Sequence, residues 1–232
     1  MTSARFQPVS ITLEGEELIA DTSGALYWPA EDALIVADLH FEKGSSYARK
    51  GIFLPPYDTR ATLKALEAAL SHFAPRRVIA LGDSFHDRAG ASRISMHEMQ
   101  TLQALMLGRD WVWVLGNHDP APPVGIGGSS VEELQIGPFV LRHEPRGDRS
   151  GELAGHLHPC ATVGAKGRRL RRRCFAFDGT RVVLPAFGAY TGGLCVLDRA
   201  FAMVLRSPFT AMMIGRDRVY PVSHDKLLPD AA

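Results

Sequence analysis

Short apolar runs rich in β-branched and aromatic residues recur along the chain, at 33–37 (ALIVA), 77–81 (RVIAL), 111–115 (WVWVL), 138–142 (PFVLR) and 182–186 (VVLPA). Runs that are apolar throughout, rather than alternating, predict strands buried on both faces. Between the first three lie segments with a helical period. Over 57–73, Leu63, Leu66, Leu70 and Phe73 fall on one face, and Asp58 is a candidate N-cap after the rigid Pro55–Pro56 pair. Over 95–106, Ser95 and Glu98 have capping-box spacing, with Met99, Leu102 and Met106 as the inward stripe.

Strand, helix, strand, helix, strand in the first half predicts right-handed crossovers and a mostly parallel sheet. From about Pro120 onward, short runs punctuated by Gly and Pro replace the helical pattern and predict antiparallel hairpins. The segment FTAMMIG at 209–215 reads as a core strand or helix. An α/β half followed by a β-rich half, with no linker between them, suits one α/β domain over 1–232: two sheets packed as a sandwich and flanked by helices. With 232 residues, 46% of them hydrophobic, the chain can build one substantial core.

Composition narrows the function classes. The formal net charge is +1, so any basic surface must be local. The first twenty residues intersperse Glu14, Glu16 and Glu17 among apolar positions and show neither a signal-peptide pattern nor a membrane span. The expectation is a cytoplasmic protein with no membrane partner. Cys160, Cys174 and Cys195 lack CxxC spacing, which predicts buried free thiols rather than a disulfide framework or structural zinc; Cys160, two residues after His158, is the one near the candidate chemistry.

That chemistry sits directly after the apolar runs. The 33–37 run is followed by Asp38-Leu39-His40, the 77–81 run by Gly82-Asp83-Ser84-Phe85-His86-Asp87, and the 111–115 run by Gly116-Asn117-His118-Asp119. His143 follows 138–142, and Gly155-His156-Leu157-His158 follows a short apolar stretch at 152–154. In open α/β sheets, ligands bind outside the carboxyl ends of the strands. A single strand-end histidine is most often a hydrogen-bonded core residue; an ordered series of them is not expected from packing alone. Oxygen and imidazole donors without thiolate suit Mn²⁺, Fe or Zn²⁺. Asp38 and His40, like His156 and His158, alternate along an extended segment and are expected to point the same way. Asp83, in the middle of the set, is the natural bridging carboxylate. Two divalent cations in such a set acidify water and clamp the oxygens of an in-line displacement at phosphorus.

The order D-x-H, G-D-x(n)-D, G-N-H-D, H, G-H-x-H is similar to that of the calcineurin-like metallophosphoesterases, over about Leu34 to Ala189. The fuller strings ADLHFEKGSSYARKGIFLPPYDT, GDSFHD, GNHDP, RHEP, GHLHP and LPAFGAYTGG resemble the bacterial DNA-ligase-associated branch. The resemblance implies a fold of two mixed sheets sandwiched between helices, and a manganese-dependent phosphodiesterase and DNA endonuclease linked to a ligase/helicase repair system. It implies Asp38, His40, Asp83 and His158 around one metal and Asp83, Asn117, His143 and His156 around the other, with His118 acting on substrate and Asp119 orienting His118 from behind. Two departures from the wider superfamily stand out. GDSFHD places His86 before Asp87, an extra imidazole suited to protonating a diester leaving group, and His143 is followed by Glu144-Pro145 rather than Gly.

The run KGRRLRRR carries six cations in eight positions, Lys166, Arg168, Arg169, Arg171, Arg172 and Arg173. In a strand, alternate members face opposite ways, so only part of it can line one groove. It is a candidate DNA-backbone contact or a charge-protected edge hairpin. Arg49, Lys50, Arg142 and Arg146, with Tyr47 or Tyr57 as stacking faces, are candidate extensions. The LPAFGAYTGG stretch either brings backbone close to the site or forms a tight turn. Two other functions compete: a small-molecule phosphoesterase acting on nucleotides, dinucleoside polyphosphates or nucleotide-sugar lipids, and a non-catalytic scaffold, whose mark would be lost ligands.

Overall fold

The structure, a computed structural model, describes residues 9–121 and 125–230. Residues 1–8 of the N-terminal segment examined for targeting patterns lie outside them. Two mixed sheets form the sandwich. The first runs in sequence order through β1 (Val9–Leu13), β2 (Glu16–Ala20), β3 (Leu26–Trp28), β4 (Ala33–Ala37), β5 (Arg77–Leu81), β6 (Asp110–Val114) and β7 (Ser129–Val131). β4 to β7 are parallel, and β1 to β4 are antiparallel. The second contains β8 (Glu133–Ile136), β9 (Phe139–Arg142), β10 (Glu152–Ala154), β11 (Pro159–Ala165), β12 (Arg168–Phe177), β13 (Arg181–Val183), β14 (Leu194–Cys195), β15 (Thr210–Ile214) and β16 (Val219–Ser223).

Alternation along the strands sorts side chains between two cores. The first half also carries helices α1 (Lys43–Ala48), α2 (Asp58–Phe73), α3 (Gly90–Arg93) and α4 (Met96–Met106). In β4, Ala33, Ile35 and Ala37 face the second sheet, packing with Leu141, Leu153 and Phe175, while Leu34 and Val36 face α2 and α4. Both faces are covered, which is why the 33–37 run is apolar throughout. Leu63, Leu66 and Leu70 of α2 and Leu102 of α4 fill the helical side. Each side chain of this kind contributes about 1.5–3 kcal/mol on full burial. A third cluster, including Cys174, Phe201 and Met213, packs on the outer side of β12 and β15.

The sequence expectations for β4 and β5 match residue for residue; 111–115 shifts by one to Asp110–Val114, 138–142 starts one residue later, and 182–186 is a strand only over Arg181–Val183. The second half differs: β9, β10 and β13 run parallel to one another, and β11 pairs β14 in parallel. The β11–β12 hairpin acts as the crossover between β10 and β13, so a locally antiparallel pattern sits within a mixed sheet. Strands β1 to β3 add to the expectation; Ile11, Leu13, Leu18 and Ala20 are buried while Ser10, Thr12 and Glu17 are exposed. Glu14 and Gly15, both at positive φ, close this hairpin. No helix among the described residues is long and apolar enough to cross a membrane.

Candidate metal centre

The carboxyl ends of β4, β5 and β6 in the first sheet meet those of β9 and β10 in the second. The loops that leave them are laced together: Asp38 N–H donates to Gly82 O, His40 N–H to Asp83 O, and Gly155 N–H to His143 O. This lacing collects Asp38, His40, Asp83, Asn117, His143, His156 and His158 in one place. They do not arrive there by strand alternation. Asp38, His40, Asp83, His156 and His158 all have left-handed φ, between 45° and 68°. Five of seven candidate ligands thus occupy a conformation that costs each about 1 kcal/mol or more, as strained functional sites do. The expectation of extended, same-facing pairs is therefore corrected. The turn at each ligand aims it individually, and His156 and His158 enter different groups.

Three groups of donor atoms result, each within 4.8 Å of one another: Asp38 with His40 and His158, Asp83 with His143 and His156, and His40 again with His86 and His118; only the first two contain a carboxylate. Asp83 joins them, with Oδ2 3.9 Å from His40 Nε2 and Oδ1 3.4 Å from His143 Nε2. The His143 ring tests whether a cation fits. Its Nδ1–H donates to Leu81 O at 3.0 Å, so in the neutral ring Nε2 bears a lone pair. That lone pair faces Asn117 Oδ1 at 2.9 Å and His156 Nδ1 at 3.2 Å. Acceptors converge with no hydrogen between the first two, an arrangement that a cation resolves. The donor set is oxygen and imidazole throughout, as hard to borderline divalent ions require.

Glycines make room for this convergence. A Cβ on Gly82 would stand 2.4 Å from the His143 ring, and one on Gly116 would lie 2.2 Å from Asp83 N. The Gly of each motif is therefore a packing requirement beside a ligand. Burial, with the neighbouring His158 and His86, pushes the His40 imidazole down to about 2, so it is a neutral lone-pair donor. Burial pushes the Asp83 carboxyl up, against the pull of His143.

Beside the ligands, His118 donates Nδ1–H to His86 O at 2.7 Å and its N–H to Asp83 Oδ1 at 2.9 Å. The His86 carbonyl therefore orients the His118 ring, in place of the expected Asp119. The Asp119 carboxylate instead accepts the Phe85 N–H at 3.0 Å, pinning the turn that carries Asp83. Burial pushes its carboxyl up to about 6. His86 Nδ1 lies 3.3 Å from His40 Nδ1. Its ring and that of His118 line a cleft of about 390 Å³ with Ser46, Arg49, Lys50 and Asp87. Tyr47 packs near His86, flanked by Lys43 and Lys50.

A supporting layer was not flagged by the sequence pattern. Asp58 lies inside α2 rather than capping it; its buried carboxylate accepts Gly44 N–H at 2.9 Å. Thr59 Oγ1 accepts Glu42 N–H and donates to Glu42 Oε1, and Thr62 Oγ1 accepts Ala189 N–H. Asp87 and Arg93 form a bidentate pair at 2.7 and 2.8 Å beside His86. The YDT within the motif strings was the available signal.

The basic run divides by alternation. On one face Arg169 donates to Pro229 O, Arg171 pairs with Asp230, and Arg173 donates to Ala186 O. Lys166 stands in the hairpin turn, and Arg168 and Arg172 are exposed. Arg142 is buried, pairing with Glu133, Asp148 and Glu152, so it cannot reach a nucleic acid. Burial pushes the Cys160 thiol up, away from nucleophilic use.

The chain is similar to a nuclease, MPE, of Pseudomonas putida, at 31% identity over 93% of this chain and 100% of that one, with a TM-score of 0.73. A likeness to YfcE, a phosphoesterase from E. coli, has 13% identity over 82% of this chain and 98% of that one, and its TM-score of 0.39 is too low to carry an argument. No family profile and no curated protein matches the chain.

Proposed function

The chain belongs to the calcineurin-like metallophosphoesterases, and from that premise we propose that it is a two-metal phosphodiesterase that cuts DNA in a repair setting. The single observation that carries the reading is the pair of ligand groups meeting at Asp83. Asp38, His40, Asp83 and His158 would hold one ion, and Asp83, Asn117, His143 and His156 the other. The MPE relative, a nuclease, supports a nucleic-acid substrate. Manganese is the expected metal, with iron and zinc suited to the same donors.

When bound, divalent ions supply charge neutralisation at phosphorus and a water acidic enough to attack at neutral pH. The chain's own residues do the rest. His118, tied through Nδ1–H to the His86 carbonyl, keeps Nε2 for substrate, where a protonated ring donates to the departing oxygen. An alkoxide leaves a diester poorly, so such help is worth about 10²–10⁴-fold. His86 stands in the same cleft; pushed down to about 4 by burial, it is neutral at working pH and assists departure as an N–H hydrogen-bond donor rather than as the acid, while Arg49 and Lys50 there offset phosphate charge. Asp119 keeps the Asp83 turn in place through Phe85.

The test is hydrolysis by purified protein in manganese of bis-p-nitrophenyl phosphate, p-nitrophenyl phosphate and a labelled DNA hairpin, with His118→Ala as control. Cleavage of diester and hairpin, lost in the variant and on chelation, is expected. Diester cleavage with an intact hairpin would move the substrate to small-molecule diesters. Inactivity with metal bound would point to a binding scaffold.

A further inference from the structure

Away from the histidine cluster, a cleft of about 520 Å³ lies between the β11–β12 hairpin, residues 191–193 and the turn after β15. Arg171, Arg172, Arg173 and Arg216 line it, and among the described residues no carboxylate does. Such an unbalanced wall concentrates positive potential in a concave space, where polyanions gather.

The four arginines have different duties. Arg173 is held by the carbonyls of Ala186 and Phe187, and Arg171 by Asp230 and the Gly193 carbonyl. Among the described residues, Arg172 donates only to the carbonyl of Arg171, and Arg216, which lines the cleft, has no ion pair. The first two shape the wall, and the second two keep their guanidinium forks for a ligand.

The cleft runs into a second, apolar groove that shares Arg172 and Arg216 and adds Leu170, Val222 and Tyr220. Tyr220 is 39% exposed, and the Arg218 guanidinium stacks over its ring, 4.7 Å from the centroid, so an incoming base meets an arginine–tyrosine stack. Asp217, the acid of this groove, accepts the Tyr220 hydroxyl. Cations beside an arginine–tyrosine stack suit a single nucleic-acid strand, whose phosphates take the free arginines and whose unstacked base takes the stack.

The cleft also adjoins the metal centre. Its wall at 191–193 continues a segment in which Phe187 N–H donates to Ala37 O and Gly188 N–H to Asp38 O. At the other end, Leu194 N–H donates to His158 O, and Cys160 lines the cleft two residues beyond His158.

We propose that this cleft is a backbone track for single-stranded nucleic acid flanking the scissile phosphate, with Arg172 and Arg216 on phosphates and Tyr220 under a base. The proposal rests on the nuclease reading. Its test compares Arg172→Ala/Arg216→Ala with the parent in a His118→Ala background, which keeps DNA intact, by measuring single-strand affinity against salt. Loss of two phosphate contacts lowers the slope of log affinity against log salt by about 1.4, at about 0.7 per phosphate. Lysines at both positions restore it. Tyr220→Ala weakens binding at least about fivefold without changing the slope. Arg76→Ala, at the far end of β5, changes neither. In the active enzyme, the double variant's ratio of hairpin to bis-p-nitrophenyl phosphate kcat/KM falls about tenfold or more. Unchanged slope and ratio, or equal loss on both substrates, would overturn the track while leaving the nuclease reading standing. A parent that hydrolyses the small diester but neither binds nor cuts DNA would overturn both.

Discussion

His86 has two neighbours that define it. His40 Nδ1 lies 3.3 Å from its Nδ1, and the cleft beside His118 holds Lys50 and Arg49. Burial, then the positive charge of Lys43, pushes the His86 imidazole down to about 4. An unfolded histidine titrates near 6.5. Between about 4 and 6.5 the unfolded chain therefore binds the extra proton, so stability rises with pH through that window and is lost as pH falls. His86→Gln removes this titration. The metal-free variant is expected to lose less stability than wild type between pH 7 and pH 4.5, read as the urea midpoint at each pH. A leaving-group role adds a kinetic expectation: His86→Ala reduces diester hydrolysis more than monoester hydrolysis, and equal loss would count against that role. At this scale the candidate ligands that the structure gathers in one place were legible in the sequence. Their left-handed backbone was not, because φ at a His or Asp is set by the loops around it rather than by its own preference.

At the scale of elements, periodicity worked where one face decides the structure. α2 and α4 fall on their apolar stripes, and Ser95 caps α4, accepting Glu98 N–H at 3.2 Å while its hydroxyl donates to the Glu98 carboxylate. Ser95→Ala should lower stability by about 1 kcal/mol, moving Tm by about 2–4 °C, with kcat unaltered. A loss of activity in that variant would mean that α4 positions the 83–87 turn as well as packing behind it. Asp58 shows where a local rule fails. Its composition and place suit an N-cap, yet a buried backbone N–H at Gly44 needed an acceptor, and α2 was the nearest element to supply one.

For the molecule as a whole, the two sheets bring together acceptors that a cation would satisfy, so metal binding is expected to be linked to folding. At a hundredfold excess over Kd, a ligand of the native state adds about 2.7 kcal/mol. For a chain of this size that is a rise in Tm of about 5–10 °C. Manganese should produce this shift in wild type and in His118→Ala, and chelation should reverse it. Asp83→Ala should abolish it together with hydrolysis, since both ligand groups lose their shared carboxylate. A shift that persists in Asp83→Ala would place the bound ion elsewhere.

The sequence by itself determined the buried strands, the two main helices, the residues that follow each strand and the kind of metal they suit. These depend on local pattern and on donor chemistry, both written in the order of residues. The tertiary structure alone decided which candidate ligands group together, that His86 O rather than Asp119 aims His118, that Arg142 is buried, and that only part of the basic run is free. Each of these rests on contacts between segments distant in sequence, where the meeting of two sheets and the need to satisfy buried polar groups override any local rule.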